Sequence, residues 1–170
     1  MTRYAALLRA VNVGGTGTLP MSKLKAMCVD AGLERVETYI ASGNVAFESK
    51  AAPSKIKAVL ETALRKEMGK SVGVMLRSAA QLRAILKANP FRRAEPKYTY
   101  VFFLNAAPPA DALDHVRGRR DEELRLAARE IYVHYPSGMG RSKLKIPAAS
   151  EGTARNINTV TKLAELTSKP

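Results

Sequence analysis

Val36-Glu37-Thr38-Tyr39-Ile40-Ala41-Ser42-Gly43-Asn44-Val45-Ala46-Phe47-Glu48 reads as two β-like runs split by a tight turn. Gly43 and Asn44 tolerate positive φ, so a hairpin is the natural reading. A helical pattern lies on each side of it. Before it, Leu24, Met27, Cys28 and Ala31 recur at i, i+3, i+4 and i+7, and Gly32 supplies a stop. After it, Pro53 opens a helix with Ile56, Val59, Leu60, Ala63, Leu64 and Met68 on one face, closed by Gly69. The outer strands are residues 4–11, with Leu7, Leu8 and Val11, and Val72 to Leu76, where apolar residues alternate.

The order is therefore β-α-β-β-α-β, the split βαβ or ferredoxin-like pattern. In it the first and second strands run parallel with the third between them. The loop after the first strand and the turn after the second then leave the same edge of the sheet. That brings together Arg9, Asn12, Gly14 and Gly15 with Ser42, Gly43 and Asn44.

Beyond this unit, Ser78 and Gln81 suggest a capping box for a helix through Leu82, Ile85 and Leu86, ended by Asn89-Pro90. Phe91 to Pro96 reads as a linker, and Tyr98 to Leu104 as a strand. Pro108-Pro109 leads a short helix carrying Leu113 and Val116. Leu124 to Ala128 and Ile131 to Tyr135 form a second hairpin. Thr153 to Thr167 reads as the last helix, with Thr153 a candidate N-cap. The expected fold is α+β with two small subdomains. Residues 1–77 form the ferredoxin-like sandwich, 78–97 a helix and linker, and 98–170 a related β-α-β-β-α unit.

The chain carries 28 basic and 15 acidic residues, a net charge of +13. Such a surplus attracts polyanions. The charge is spread along the chain, so solvated basic faces compete with a dedicated nucleic-acid groove as its explanation. No apolar run reaches the roughly 20 residues of a membrane helix. The first residues lack the layout of a secretory signal, which suggests a cytoplasmic protein with no membrane partner. With one cysteine, Cys28, and two histidines, neither a disulfide nor a zinc cluster is expected. His115 and His134 lie on different elements without a paired carboxylate motif. They suggest neither a metal nor a catalytic base, and no cofactor motif is present.

Four polar clusters stand out against this background. Arg9 interrupts an apolar strand, where a guanidinium must be paired or hold an anion. Asn12, Gly14 and Gly15 fit a backbone nest as well as a plain turn. The glycine loop matches neither a Walker loop nor a dinucleotide fingerprint. Gly140-Arg141-Ser142-Lys143 joins glycine to typical phosphate partners. Arg155 and Asn156 sit where the last helix is expected to start. Asp121-Glu122-Glu123 reads as a solvated charge run. Tyr98, Tyr100, Phe102 and Phe103 bring an RNA-binding sheet to mind but fit a core strand better.

At these clusters the chain resembles a widespread bacterial family, domain of unknown function 1697. The family's Leu-Arg-Gly-Ile-Asn-Val-Gly-Gly corresponds to Leu8 through Gly15, and its Tyr-Ile-Gln-Ser-Gly-Asn-Val to Tyr39 through Val45. Its Gly-Arg-Ser-Lys-Leu corresponds to Gly140 through Leu144, and its Thr-x-Arg-Asn-Trp-Asn-Thr-Val to Thr153 through Val160. Ala10, Ala41 and Ile157 depart from the family's Gly, Gln and Trp, which removes a polar side chain and a stacking ring. The resemblance implies two small α+β subdomains and carries no activity with it.

Three functions fit. The first is binding of a phosphate-bearing ligand, a nucleic acid or phosphorylated small molecule, at a basic groove between the subdomains. There Arg9, Asn12, Gly14, Gly15, Ser42, Gly43 and Asn44 would face Arg141, Ser142, Lys143, Arg155 and Asn156. The second is an enzyme acting on a small anionic substrate, and the third a protein-interaction module.

Overall fold

The structure is a computed structural model that describes residues 1–14 and 17–170. Gly15, placed by sequence in the first cluster, lies outside the described residues. The chain is α+β, with two four-stranded antiparallel sheets. It divides into two compact units, residues 1–84 with 162–170, and residues 85–161.

The first unit contains β1 (Thr2–Leu8), α1 (Met21–Asp30), β2 (Glu34–Tyr39), β3 (Asn44–Ser49), α2 (Pro53–Met68) and β4 (Val74–Ser78). Its sheet order is β2-β3-β1-β4, and every neighbouring pair is antiparallel. β1 and β2 are therefore parallel to each other, with β3 between them. The core joins Leu8, Val45 and Phe47 of the sheet to Leu24 and Cys28 of α1 and Ile56, Leu60 and Leu64 of α2. These helical positions recur at the 3.6-residue period, which makes each helix bury one stripe. Gly69 closes α2 in the left-handed conformation, at φ 71°.

β1 stops at Leu8, short of the expected Val11, because Ala10 and Asn12 both adopt φ 55°. Two such left-handed residues within three positions break the regular ladder, whereas the single one in β2, Arg35 at φ 50°, is absorbed where its register with β3 shifts. Residues 162–170 group with the first unit rather than with 98–161. Arg3 Nη2 donates to Leu166 O at 2.8 Å, Arg35 Nη2 donates to Pro170 O at 2.5 Å, and Lys169 pairs with Glu37 at 3.2 Å.

The second unit contains β5 (Thr99–Phe103), β6 (Glu123–Leu126), β7 (Glu130–His134) and β8 (Thr153–Asn156), in the order β6-β7-β5-β8. Helices α3 (Ala79–Lys87) and α4 (Ile157–Ser168) each contribute residues to both units. Ser78 and Gln81 form the reciprocal capping box at the start of α3. The Tyr132 hydroxyl donates to Ile85 O at 2.7 Å and fixes the end of α3 to β7. One face of this sheet packs Leu124, Ile131, Val133 and Tyr135 with Tyr100 and Phe102, and Tyr100 meets Tyr135 edge-on at 5.5 Å.

Two expectations are corrected here. Thr153 to Asn156 forms strand β8, not the first turn of a helix. Thr153 and Arg155 are buried while Ala154 and Asn156 are less so, and the segment pairs with β5 from Phe103↔Thr153 to Tyr100↔Asn156. Asn156, not Thr153, caps the helix: its Oδ1 accepts the Asn158 N–H at 2.8 Å. The link between β5 and β6 is a single 3-10 turn, Ala112–His115, rather than an α-helix.

Candidate functional site

The loop after β1 and the turn after β2 meet, as the parallel placement of those strands requires. Asn12 Nδ2 donates to Ala41 O and to Leu19 O, each at 2.8 Å, and Asn12 Oδ1 accepts the Leu19 N–H at 2.6 Å. Leu8 N–H donates to Gly43 O at 2.8 Å. Asn44 is 0% exposed and donates to Tyr39 O and Ser42 Oγ, each at 3.0 Å. Asn12, Ser42 and Asn44 are thus brought together: the Asn12 amide bonds one loop to the other, and the Asn44 amide braces its own turn.

Gly43 is required here. At φ 89°, a Cβ would sit 2.7 Å from Val11 Cγ2 and 2.9 Å from Leu8 Cβ. Gly14 is different, because a Cβ there would meet nothing within 4 Å. Ile40 adopts φ 50° while 48% exposed, an unusual state for a β-branched residue. Beside these loops is a concavity of about 750 Å³ whose described lining, from Asn12 to Met21 with Ala41, carries no charged side chain. Arg9 is half-buried, and its N–H donates to Gly73 O at 2.9 Å. Glu48 pairs with Arg35 and Arg3, and Glu37 with Lys169.

The second unit holds the charged concavity. It measures about 680 Å³ and is lined by Arg120, Asp121, Glu122, Ser137, Gly138, Arg141, Ser142 and Lys143. Glu122 was expected to be solvated but is 3% exposed. It accepts the Arg120 N–H at 2.5 Å and the Ser142 hydroxyl. These bonds, Ser142's first, hold its carboxyl below the usual carboxylate range. Asp121 accepts the Ser137 hydroxyl at 2.5 Å. Arg117 and Lys145 exchange two backbone hydrogen bonds, at 3.0 and 2.8 Å. Gly118 makes that approach possible, since a Cβ there would lie 2.2 Å from Lys143 O.

Arg120 and Glu122 were missed as members of this site. The signal was weak but present: Glu122 stands two residues before the apolar Leu124, the spacing that shares a face in extended chain.

Arg155 is 6% exposed and donates to Thr153 Oγ1 at 2.6 Å and to Ala154 O at 2.9 Å. Burial lowers its pKa to about 10. Paired with Val101, it lies on the sheet face opposite Tyr100 and Phe102 and is buried there rather than on an open surface. Asn156 Nδ2 donates to Lys97 O at 2.9 Å and so holds the segment before β5 against the end of β8. His115 does meet a carboxylate, Asp111, at 3.1 Å, with both side chains exposed. Among the described residues no group of His, Cys, Asp and Glu could hold a metal ion, and no helix is long and apolar enough to cross a membrane.

The fold and clusters together define a two-unit α+β protein with polar loops at its sheet ends. The chain belongs to the family Protein of unknown function (DUF1697), which matches residues 1–132. Its structure is similar to that of the conserved bacterial protein SP0830 from Streptococcus pneumoniae. The two share 27% sequence identity over 99% of each chain, with a TM-score of 0.82. The family match ends before Gly140 to Leu144 and Thr153 to Val160, whereas the similarity to SP0830 includes them. No curated protein matches the chain.

Proposed function

We propose that this protein binds a phosphate-bearing ligand, a nucleic acid or nucleotide, and that the basic concavity of the second unit makes the contact. The observation that carries this reading is the arrangement of Arg120, Arg141 and Lys143 around one concavity. Guanidinium groups bind phosphate oxygens in pairs, and an ammonium adds a point charge. The Ser142–Glu122 bond holds the loop between the two flanking cations. The net charge of +13 favours encounter with polyanions. We place this activity in the cytoplasm. The order β2-β3-β1-β4 with antiparallel neighbours supports reading the first unit as ferredoxin-like.

The test is titration of the protein with ATP and with a fluorescein-labelled single-stranded oligonucleotide. Replacing Arg141 and Lys143 together by Ala should weaken binding of both. For a site with several phosphate contacts, affinity should fall steeply between about 50 and 200 mM salt. If neither probe binds at low salt, the reading is wrong.

A further inference from the structure

The topology of the second sheet collects positive charge at one of its ends. β5 begins where β7 ends (Thr99↔His134), β6 begins at the same level (Glu123↔His134), and β8 ends beside them (Tyr100↔Asn156). Antiparallel neighbours place these four chain ends side by side. Arg92, Arg93 and Lys97 precede β5, Arg120 precedes β6, and Arg141 and Lys143 follow β7.

Contacts beyond the ladder tie the segments to this end. Tyr135 N–H donates to Tyr98 O at 2.8 Å, Asn156 donates to Lys97 O at 2.9 Å, and the Phe91 and His134 rings lie 5.7 Å apart. At the opposite end, the turn between β6 and β7 and the two residues before β8 carry Arg129 and Glu151, one charge of each sign.

All six cations of the rim are exposed. Among the described residues none of them is held in an ion pair. The exposed carboxylates nearby are Glu95, Asp121 and Glu123, so positive charge predominates. Four strands about 4.8 Å apart make the rim roughly 15 Å wide. That exceeds one phosphate group and suits a chain of them. Tyr98, half-buried, has the Lys97 ammonium 5.0 Å above its ring centroid, an aromatic face paired with a cation. Aromatic faces among backbone-tracking cations are how sequence-tolerant single-strand binding works.

We infer that this rim binds single-stranded nucleic acid. Its phosphates run from the Arg120–Arg141–Lys143 concavity to Arg92, Arg93 and Lys97, and an unpaired base stacks on Tyr98. The inference rests on the phosphate-ligand reading above and narrows it to one ligand class.

The test uses the full chain and a labelled single strand of about 12 nucleotides, within the site sizes such surfaces cover. The same sequence as a duplex, and ATP, serve as comparison probes. Arg93→Ala/Lys97→Ala should weaken the single strand about ten-fold at about 100 mM salt. It should also reduce the slope of log affinity against log salt by about 1.4, or 0.7 per lost phosphate contact. ATP affinity should not change. A matched loss of charge in the first unit, Lys25→Ala/Lys66→Ala, should leave the slope intact. Tyr98→Leu should weaken the single strand several-fold and Tyr98→Phe should not, with thermal melting confirming that each variant folds.

If Arg141→Ala/Lys143→Ala abolishes binding while Arg93→Ala/Lys97→Ala changes nothing, the rim inference fails and the phosphate-ligand reading stands. Duplex binding as tight as single-strand binding, or an unaffected Tyr98→Leu, overturns the single-strand assignment. Absence of binding by all three probes overturns both.

Discussion

Ser142 donates its hydroxyl to the buried carboxylate of Glu122, and that bond joins the glycine loop to the strand end that precedes it by twenty residues. The same carboxylate receives the Arg120 N–H. One acidic group thus positions both sides of a concavity whose other charges are largely basic.

Glu122→Ala should destabilise the protein by about 1–3 kcal/mol, because two donors lose a buried acceptor. The acid response follows from the lowered carboxyl pKa. The folded form keeps the proton off to lower pH than the unfolded chain, whose carboxyl titrates near about 4.3. Glu122 therefore stabilises the fold above that value, and the contribution is lost as pH falls through the folded pKa. Urea melts at neutral and acidic pH should show a shallower acid loss in Glu122→Gln than in the wild type.

Gly43 and Gly14 looked alike in the sequence, as glycines beside polar residues, and the structure separates them. Gly43→Ala combines a left-handed φ with clashes against Val11 and Leu8. The cost should be about 2–4 kcal/mol, strain and overpacking together. Gly14→Ala has open space and should change the melting temperature little. Thermal melts of the two variants, side by side, check both outcomes.

Asn12→Ala tests whether that amide holds the loops or waits for a ligand. It removes hydrogen bonds to Ala41 O, Leu19 O and Leu19 N from a residue at φ 55°. A loss of about 1–3 kcal/mol is expected, with faster amide exchange at Leu19. An unchanged melt together with weakened ligand binding would instead make Asn12 a reader of ligand.

The hairpin from Val36 to Glu48 was legible because its signals are local: two β-like runs around Ser-Gly-Asn. The meeting of the Asn12 and Ala41 loops was legible because it follows from element order. What the sequence concealed is non-local. β8 is a short segment of Thr, Ala, Arg and Asn abutting a helix, and its partner β5 lies some fifty residues earlier. Glu122 looked solvated because the hydroxyl that satisfies it comes from a distant loop. Arg155 looked like a ligand clamp because its burial is set by the strand pairing that sequence periodicity did not show.

Burial pushes the Cys28 thiol up to about 12. The native protein should resist a thiol reagent at neutral pH and react once unfolded in guanidinium. The sign of the alkaline effect is fixed too. The unfolded thiol ionises near about 8.5 while the folded one keeps its proton, so stability falls as pH rises from about 8.5 towards about 12. Cys28→Ala should flatten that alkaline loss in melts recorded across the window.

Each edge strand of the two sheets, β2, β4, β6 and β8, carries an arginine: Arg35, Arg77, Arg125 and Arg155. Three of them fold back onto the carbonyl of the preceding residue, Leu76 O and Leu124 O at 2.8 Å and Ala154 O at 2.9 Å. A cation on an edge discourages another chain from adding a strand. Burial splits the expected consequences. Arg125 is exposed, with its guanidinium 5.7 Å from the Phe91 ring centroid. Arg125→Val should cost only about 0.5–1 kcal/mol through that lost contact. It should nonetheless raise light scattering on heating, because β6 then offers a more apolar edge that has lost its cation. Arg155→Ala should do the reverse. It removes a buried side chain bonded to Thr153 and Ala154, so the folded state should lose about 2–4 kcal/mol before aggregation is seen. Equal stability in the two variants would show that Arg155 contributes to the edge alone and not to the packed face of the second sheet.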